Sequence, residues 1–289
     1  MSAGRPRRSV VYRLGDAPRS YETAHELAVD VLLFDLEDSV APADKSAARN
    51  RLGEALAAGN FNGQERLIRI NGLETPWGKE DAAVAAAAAV EGVMLAKAES
   101  GRQMQEAADA LDRLGAPASL KLWAMIETPK GVLAAAEIAA ATPRLAGLAI
   151  GLGDLSRGLG GFRRAAPFRF PVLAALSHIV MVARAYGLAA IDSSFRDARD
   201  PDAFRAACLE SRELGYDGKA LTDPALAAIA DAAFGPTQAE IDWSKRVLAA
   251  VAAAPAGTQP TVDGQLIEPG YLDLARRLAQ ASAWPRLAR

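Results

Sequence analysis

Thiols and imidazoles are scarce in this chain. Its 289 residues include one cysteine, Cys208, and two histidines, His25 and His178. A single cysteine excludes an intrachain disulfide and a thiolate zinc cage, and it fits a reducing cytoplasm. Both histidines lie in segments with helical patterns, so we expect neither a histidine-rich metal site nor an imidazole general base.

Several other features are also missing. The formal net charge is only −2, which gives no electrostatic reason to expect binding to nucleic acid or to an anionic membrane. No apolar run reaches the roughly 20 residues of a membrane span, and no signal peptide precedes the first predicted strand. The opening lacks the glycine-rich turn of a dinucleotide-binding fold. We therefore expect a soluble cytoplasmic protein.

Short β-like runs alternate with helical segments along most of the chain. Eight strands over about 220 residues match a (β/α)8 TIM barrel, an α/β fold, whereas a doubly wound open sheet would usually need fewer strands. We expect a catalytic barrel over 1–235 and a C-terminal helical extension over 236–289, with a hinge-like connection over 254–261. The strands are predicted at 9–12, 31–35, 66–71, 92–97, 121–127, 147–151, 189–192 and 218–221.

Carboxylates follow three of these apolar runs. Asp35, Glu37 and Asp38 come after the second predicted strand, Glu127 after the fifth and Asp154 after the sixth. Barrel enzymes carry catalytic groups at the C-terminal ends of their strands, and a buried carboxylate there is costly unless a cation or substrate meets it. Without histidine or thiolate partners, these groups favour a hard cation with oxygen ligands, Mg²⁺ before Mn²⁺ or Ca²⁺.

Two further features suit a small anionic substrate. Arg69 lies on the third predicted strand, where its guanidinium can bind a carboxylate bidentately. The turn at 151–155 contains Gly151 and Gly153, which let backbone N–H groups approach carboxylate oxygens. Together with the metal, these residues predict a site for a small 2-oxo or 2-hydroxy acid, and the making or breaking of a carbon–carbon bond.

Structural roles stay open for some of the same residues. Asp35 and Asp38 also fit helix N-caps, and Asp192 before two serines is typical of a capping turn, so Asp192 is left outside the predicted site. Lys97 fits a simple ion pair with one of the carboxylates. Glu127 and Asp154 are harder to explain in this way.

Five ordered sequence blocks carry a more specific signal. They read Asp35-Leu36-Glu37-Asp38-Ser39-Val40, Arg69-Ile70-Asn71-Gly72, Ile126-Glu127-Thr128-Pro129-Lys130-Gly131, Gly153-Asp154-Leu155 and Gly215-Tyr216-Asp217-Gly218-Lys219. In these blocks the chain resembles the citrate lyase β-subunit-like family, which belongs with the HpcH/HpaI aldolases in the phosphoenolpyruvate/pyruvate superfamily. The resemblance covers nearly the whole chain.

The resemblance implies a Mg²⁺-dependent acyl-CoA lyase or 2-oxo acid aldolase that assembles as a homotrimer or hexamer. It assigns metal ligation to Glu127 and Asp154. It assigns binding of the substrate carboxylate to Arg69 and to the backbone around Gly153.

The block after the second strand is expected to be catalytic. In related aldolases the position matching Asp38 is a histidine, paired with the residue matching Asp35. Here the pair, with Glu37 between them, would be carboxylates suited to holding a catalytic water or proton.

The chain also departs from the family at segments associated with coenzyme A. A Phe-Val-Pro-Gly segment is replaced by residues 12–15, Tyr-Arg-Leu-Gly, and Ile-His-Pro by residues 222–224, Thr-Asp-Pro. The usual proline before Lys97 is Ala96. An aspartate credited with thioester hydrolysis corresponds to Glu268, which we expect to reach the barrel mouth of a neighbouring subunit. Because glutamate is one methylene longer, we expect inefficient hydrolysis.

The leading hypothesis is therefore a Mg²⁺-dependent lyase that converts a 3-hydroxyacyl-CoA of the citryl or malyl type to an acyl-CoA and a 2-oxo acid. A CoA-independent aldolase acting on hydroxy-oxo acids is the second hypothesis. A non-catalytic partner subunit that keeps the barrel is the third.

Overall fold

Eight parallel strands close into a barrel in the computed structural model, which describes residues 5–17, 19–59, 61, 63–160, 169–195, 199–255 and 257–283. Each strand pairs with its sequence neighbours, and β1 closes the barrel by pairing with β8. The predicted (β/α)8 fold is thus confirmed. The strands are β1 (Ser9–Arg13), β2 (Val31–Asp35), β3 (Glu65–Ile70), β4 (Gly92–Leu95), β5 (Lys121–Ile126), β6 (Leu145–Ile150), β7 (Ala189–Phe195) and β8 (Gly218–Leu221).

Helices follow the strands around the barrel. Two of them, Pro129–Leu133 and Ala135–Ala140, are short and are separated by Ala134. The helices are α1 (Lys45–Ala58), α2 (Gly78–Ala87), α3 (Gly101–Arg113), α4 (Pro129–Leu133), α5 (Ala135–Ala140), α6 (Leu152–Gly158), α7 (Leu173–Ala185), α8 (Pro201–Leu214) and α9 (Ala227–Phe234).

The barrel interior is filled by alternate residues of the strands, as the period of two along a strand requires. Trp123 is the largest fully buried side chain there. Gly147 on the neighbouring strand makes room for it, since a Cβ at that position would lie 2.1 Å from Cζ3 of the indole. Most of the interior residues are apolar, namely Val10, Tyr12, Val31, Leu33, Leu67, Met94, Trp123, Met125, Ala149, Ala189, Ile191 and Ala220.

A second compact unit begins at Phe234. Its helix α10 (Gln238–Ala253) starts with a capping box between Thr237 and Glu240. Helix α11 (Pro269–Ala283) packs on α10 around a small core of Val247, Val262, Ile267 and Ala275. The predicted boundary after residue 235 stays a prediction, because two compact units are not thereby two independently folding domains.

The second unit contains a hairpin that the sequence analysis missed. Strands β9 (Thr261–Val262) and β10 (Gln265–Leu266) are antiparallel. Asp263 and Gly264 join them with φ values of 50° and 80°. An Asp-Gly pair with positive φ at both positions is a strong signal for a two-residue hairpin turn, so the signal was present in the sequence.

Among the described residues, no helix has both the length and the apolar character needed to cross a membrane.

Candidate active site

A cavity of about 250 Å³ lies at the C-terminal ends of the barrel strands. Its floor is apolar and includes Leu33, Met94 and Met125, while its rim is polar. Parallel strands of a barrel all end at the same rim, which is why residues distant in sequence meet there. The predicted site residues that line it are Asp35, Asp38, Arg69, Glu127, Gly153 and Asp154.

Arg69 and Asp35 form a buried bidentate ion pair across β3 and β2. Nε of Arg69 lies 2.6 Å from Oδ1 of Asp35, and Nη2 lies 2.7 Å from Oδ2. Both residues are buried, and the strand register places them directly opposite each other. The remaining acceptor positions of Asp35 take the amides of Glu37 and Ser39. A carboxylate has about four lone-pair sites, so Asp35 is saturated.

This environment favours a positioning role for Asp35 over the predicted catalytic one. Burial by itself would raise the pKa of the Asp35 carboxyl, but the Arg69 guanidinium holds that pKa below its ordinary value. A fully ionised carboxylate whose acceptor sites are all used has no capacity for a proton at neutral pH. Its contacts suit it to holding the guanidinium of Arg69 in place.

Arg69 therefore offers a ligand fewer N–H donors than the sequence predicts, because its Nε and Nη2 groups already donate to Asp35. Nη1 of Arg69 also lies 3.1 Å from Oε2 of Glu37. A guanidinium has five N–H donors, so the outer end of Arg69, between Nη1 and Nη2, keeps donors for a ligand in the cavity.

Glu37 does not line the cavity but supports its wall. The carboxylate is buried and accepts a hydrogen bond from the amide of Asp38 at 2.8 Å. Burial raises its pKa above the ordinary value, although Arg69 and Lys97 oppose the shift. Asp38, by contrast, is half-exposed and faces the cavity.

Lys97 links four carboxylates of the site, which the sequence analysis did not foresee. Its ammonium contacts Glu37, lies 3.2 Å from Oδ1 of Asp38 and 3.9 Å from Oδ2 of Asp154. Its amide donates to Oε1 of Glu127 at 3.0 Å. Lys97 has a positive φ of 50°, and such backbone strain in a non-glycine residue concentrates at functional sites. The prediction of a simple ion pair with one carboxylate therefore understates the contacts of Lys97.

Glu127 is a buried carboxylate with few donors. It is 4% exposed, and burial raises its pKa to about 7 despite the opposing effect of Arg69. Gly151 lies against it, since a Cβ at Gly151 would come within 2.6 Å of both Cβ and Oε2 of Glu127. An incompletely compensated buried carboxylate of this kind is a suitable place for a cation.

Asp154 lies in the first turn of α6, where its carboxylate pairs with Arg157. Gly153 lines the cavity beside it, in the part of the helix where amides have no intrahelical partner. The preceding amide, that of Leu152, donates a hydrogen bond to Oγ of Ser193 at 3.0 Å. Ser193 is buried and thus anchors the turn that carries Gly153 and Asp154. No motif in the sequence pointed to this role.

Asp192 is not part of a capping turn, so that interpretation was wrong. It lies within β7 and is fully buried. Its carboxylate pairs with Lys219 and Arg169 and accepts a hydrogen bond from Ser211. Asp192 borders the cavity, but its carboxylate is already paired with these groups at the junction of β7, β8 and α8.

Mg²⁺ fits the donor set of this cavity. Within the described ranges, no group of three or more His, Cys, Asp or Glu side chains forms a metal cage. Glu127 and Asp154 offer two carboxylates, and Mg²⁺ is commonly held by one or two carboxylates with water and substrate completing its shell.

A protein-family model described as HpcH/HpaI aldolase/citrate lyase matches residues 8–224. The (3S)-malyl-CoA thioesterase of Cereibacter sphaeroides is 38% identical over 281 residues, covering 96% of this chain and 95% of that protein. The citrate lyase subunit beta of Escherichia coli is 32% identical over 279 residues, covering 94% and 92%.

Solved structures of similar proteins point to the same family. The CitE protein of Mycobacterium tuberculosis, in complex with magnesium, acetoacetate and coenzyme A, superposes with a TM-score of 0.80 at 30% identity, over 98% of this chain and 100% of that chain. The same protein with magnesium and pyruvate gives a TM-score of 0.71 at 28% identity, over 96% and 98%. The chain thus belongs to the HpcH/HpaI aldolase/citrate lyase family.

Proposed function

We propose that this protein is a Mg²⁺-dependent carbon–carbon lyase that cleaves a malyl- or citryl-type 3-hydroxyacyl-CoA to an acyl-CoA and a 2-oxo acid. The observation that carries the proposal is one cavity holding the buried carboxylate of Glu127, Asp154, and the outer end of the Arg69 guanidinium. A structural neighbour in complex with magnesium, acetoacetate and coenzyme A supports the ligand classes.

Glu127 and Asp154 would hold the Mg²⁺. When bound, the ion supplies Lewis-acid stabilisation of negative charge on a substrate oxygen. The ammonium of Lys97, which now lies 3.9 Å from Asp154, would keep its contacts to Glu37 and Asp38. Glu127 would bind the ion as the anion, because a protonated carboxyl is a poor ligand.

The protein side chains would orient the substrate and move one proton. The outer end of Arg69 binds the substrate carboxylate, and Asp35 prevents the guanidinium from turning away. Asp38, half-exposed in the cavity wall, accepts the proton of the 3-hydroxyl group, directly or through one water. As the bond between C2 and C3 breaks, the hydroxyl carbon becomes the 2-oxo carbon, C2 of the acyl group takes up a proton from water, and Asp38 releases the proton it accepted to water.

Product analysis tests the proposal. Purified protein with (3S)-malyl-CoA and Mg²⁺ should form glyoxylate and acetyl-CoA in equal amounts, measured by chromatography of the CoA species and by trapping of the oxo acid. Glu127→Ala should form neither. Malate and free CoA without glyoxylate would contradict the lyase assignment.

Thioester hydrolysis is the second candidate, favoured by the 38% identity to the (3S)-malyl-CoA thioesterases. This similarity weighs against our expectation of inefficient hydrolysis. Glu268 is exposed, and the structure gives its carboxylate no hydrogen-bond partner among the described residues. If Glu268 activates a water, free CoA should form from malyl-CoA in the wild type and not in Glu268→Gln.

The other hypotheses have less support. A CoA-independent aldolase fits the altered segments at 12–15 and 222–224, but the (3S)-malyl-CoA thioesterases and one CitE complex are named with CoA compounds. A non-catalytic subunit fits poorly with the clustered charges of the cavity. A homotrimer or hexamer and a cytoplasmic location belong to the proposal, and light scattering of the purified protein tests the first.

A further inference from the structure

Tyr12 is an aromatic residue of the cavity wall. It lies on β1 among the interior residues of the barrel and is 8% exposed. The cavity that it lines also contains Asp35, Arg69 and Glu127. The guanidinium carbon of Arg69 lies 5.1 Å from the centre of its ring, a cation–π contact that fixes the two groups against each other.

The hydroxyl of Tyr12 has no hydrogen-bond partner in the part of the chain that the structure describes. Two other buried tyrosines show how unusual this is. Tyr21 donates to the backbone oxygen of Asp35 at 2.5 Å, and Tyr216 donates to that of Leu176 at 3.0 Å. The Tyr12 oxygen is not one of the fully buried atoms without a partner, so it is accessible from the cavity that the residue lines and can donate to a ligand there.

The surroundings of Tyr12 also define what that ligand offers. Burial raises the pKa of the phenol above its ordinary value, although Arg69 opposes the shift, so the hydroxyl stays protonated and can donate. A ligand that pairs with the Tyr12 hydroxyl must therefore present an acceptor atom. The adjacent guanidinium of Arg69, with its outer end free of Asp35, favours an anionic acceptor.

We propose that the Tyr12 hydroxyl is a substrate-binding group, donating to a carboxylate oxygen of the small 2-oxo or 2-hydroxy acid beside the outer end of Arg69. The inference rests on the proposed function for the identity of the acid. It assigns the recognition of one carboxylate to two neighbouring groups, a guanidinium and a phenol, rather than to Arg69 alone. An analogue without the negative charge should gain little from either.

The test uses Tyr12→Phe, which removes only the hydroxyl, in the full-length protein with Mg²⁺. Isothermal titration with pyruvate and with glyoxylate, in the presence and absence of acetyl-CoA, should give a Kd about tenfold weaker than in the wild type, as expected for one charge-assisted hydrogen bond. Pyruvamide, in which an amide replaces the carboxylate, should bind both proteins equally weakly. The melting temperature should be nearly unchanged, because the Tyr12 hydroxyl makes no hydrogen bond within the described part of the chain that the change would remove.

Tyr216→Phe is the matched control. Its hydroxyl has a backbone partner on α7, so this change should lower the melting temperature and leave the Kd for pyruvate unchanged. Equal pyruvate affinity of Tyr12→Phe and wild type would overturn the role of Tyr12 while leaving the proposed function standing. Absence of pyruvate and glyoxylate binding in the wild type would overturn both.

Discussion

The carboxylate of Asp35 and the guanidinium of Arg69 meet edge to edge, with N–O distances of 2.6 and 2.7 Å, in the buried wall of the cavity. Removing one residue of such a pair strongly lowers the stability of the fold, because the other charge stays buried and unpaired. The pair leaves the outer end of Arg69 facing the cavity. We therefore propose that Asp35 acts on the substrate through Arg69.

Arg69→Lys should impair activity severely although it keeps the charge. A lysine ammonium is a point charge that cannot bind both oxygens of Asp35 and a second carboxylate at once. Losing charge-assisted hydrogen bonds of about 1.5–3 kcal/mol each predicts at least a tenfold fall in kcat/KM. Steady-state kinetics with malyl-CoA checks this, and normal kcat/KM would place substrate recognition on another residue.

Asp35→Asn and Asp38→Asn should differ in how strongly they affect stability. Asp35 is buried against Arg69, so its neutralisation should lower the free energy of unfolding by about 3 kcal/mol or more. Asp38 is half-exposed, so its neutralisation should change stability by less than about 1 kcal/mol but lower kcat. Urea unfolding and kinetics separate the two roles. An Asp35→Asn variant of normal stability would contradict the positioning role.

Much of this arrangement could be predicted from local sequence. Apolar runs of four to six residues indicated the eight strands, and the polar residues that follow them indicated the cavity, because strand ends of a barrel converge. Glu127 and Asp154 were found in this way.

The pairing of side chains could not be predicted, because it depends on register and side-chain direction. Nothing local indicates that Asp35 faces Arg69, that Lys97 adopts positive φ and bridges four carboxylates, or that Ser193 holds the Leu152 amide. The β9–β10 hairpin is different, since Asp263-Gly264 offered a readable turn signal.

Glu127 should make stability depend on pH in the metal-free protein. Its pKa is about 7 in the folded protein, against an ordinary value of 4.5, so the folded state binds more protons between these values. Its contribution to stability therefore falls as pH rises through this window, by up to about 3 kcal/mol. Glu127→Gln in EDTA should be more stable than the wild type at pH 8 and similar to it at pH 5. Urea unfolding at both pH values decides this, and a difference that did not change with pH would refute the assignment.

Ser193→Ala should lower the Mg²⁺ affinity indirectly, through the turn that carries Asp154. The change leaves the buried Leu152 amide without its acceptor, which costs about 1–3 kcal/mol and loosens the turn that carries Asp154. Calorimetric titration should show Mg²⁺ affinity at least fivefold lower. Ser193→Thr keeps a hydroxyl and should bind Mg²⁺ nearly normally. Equal affinities for all three proteins would remove Ser193 from the site.

The most direct test of the central claim is a Mg²⁺ titration of glyoxylate release from (3S)-malyl-CoA, comparing the wild type with Glu127→Ala and Asp154→Ala. The wild type should release glyoxylate and acetyl-CoA together, with a Mg²⁺ dependence that matches its calorimetric Kd. Both variants should stay folded, bind Mg²⁺ far more weakly than the wild type and release no glyoxylate, because each loses one of the two carboxylates that attract the ion. Glyoxylate release by either variant with unchanged Mg²⁺ affinity would contradict the account.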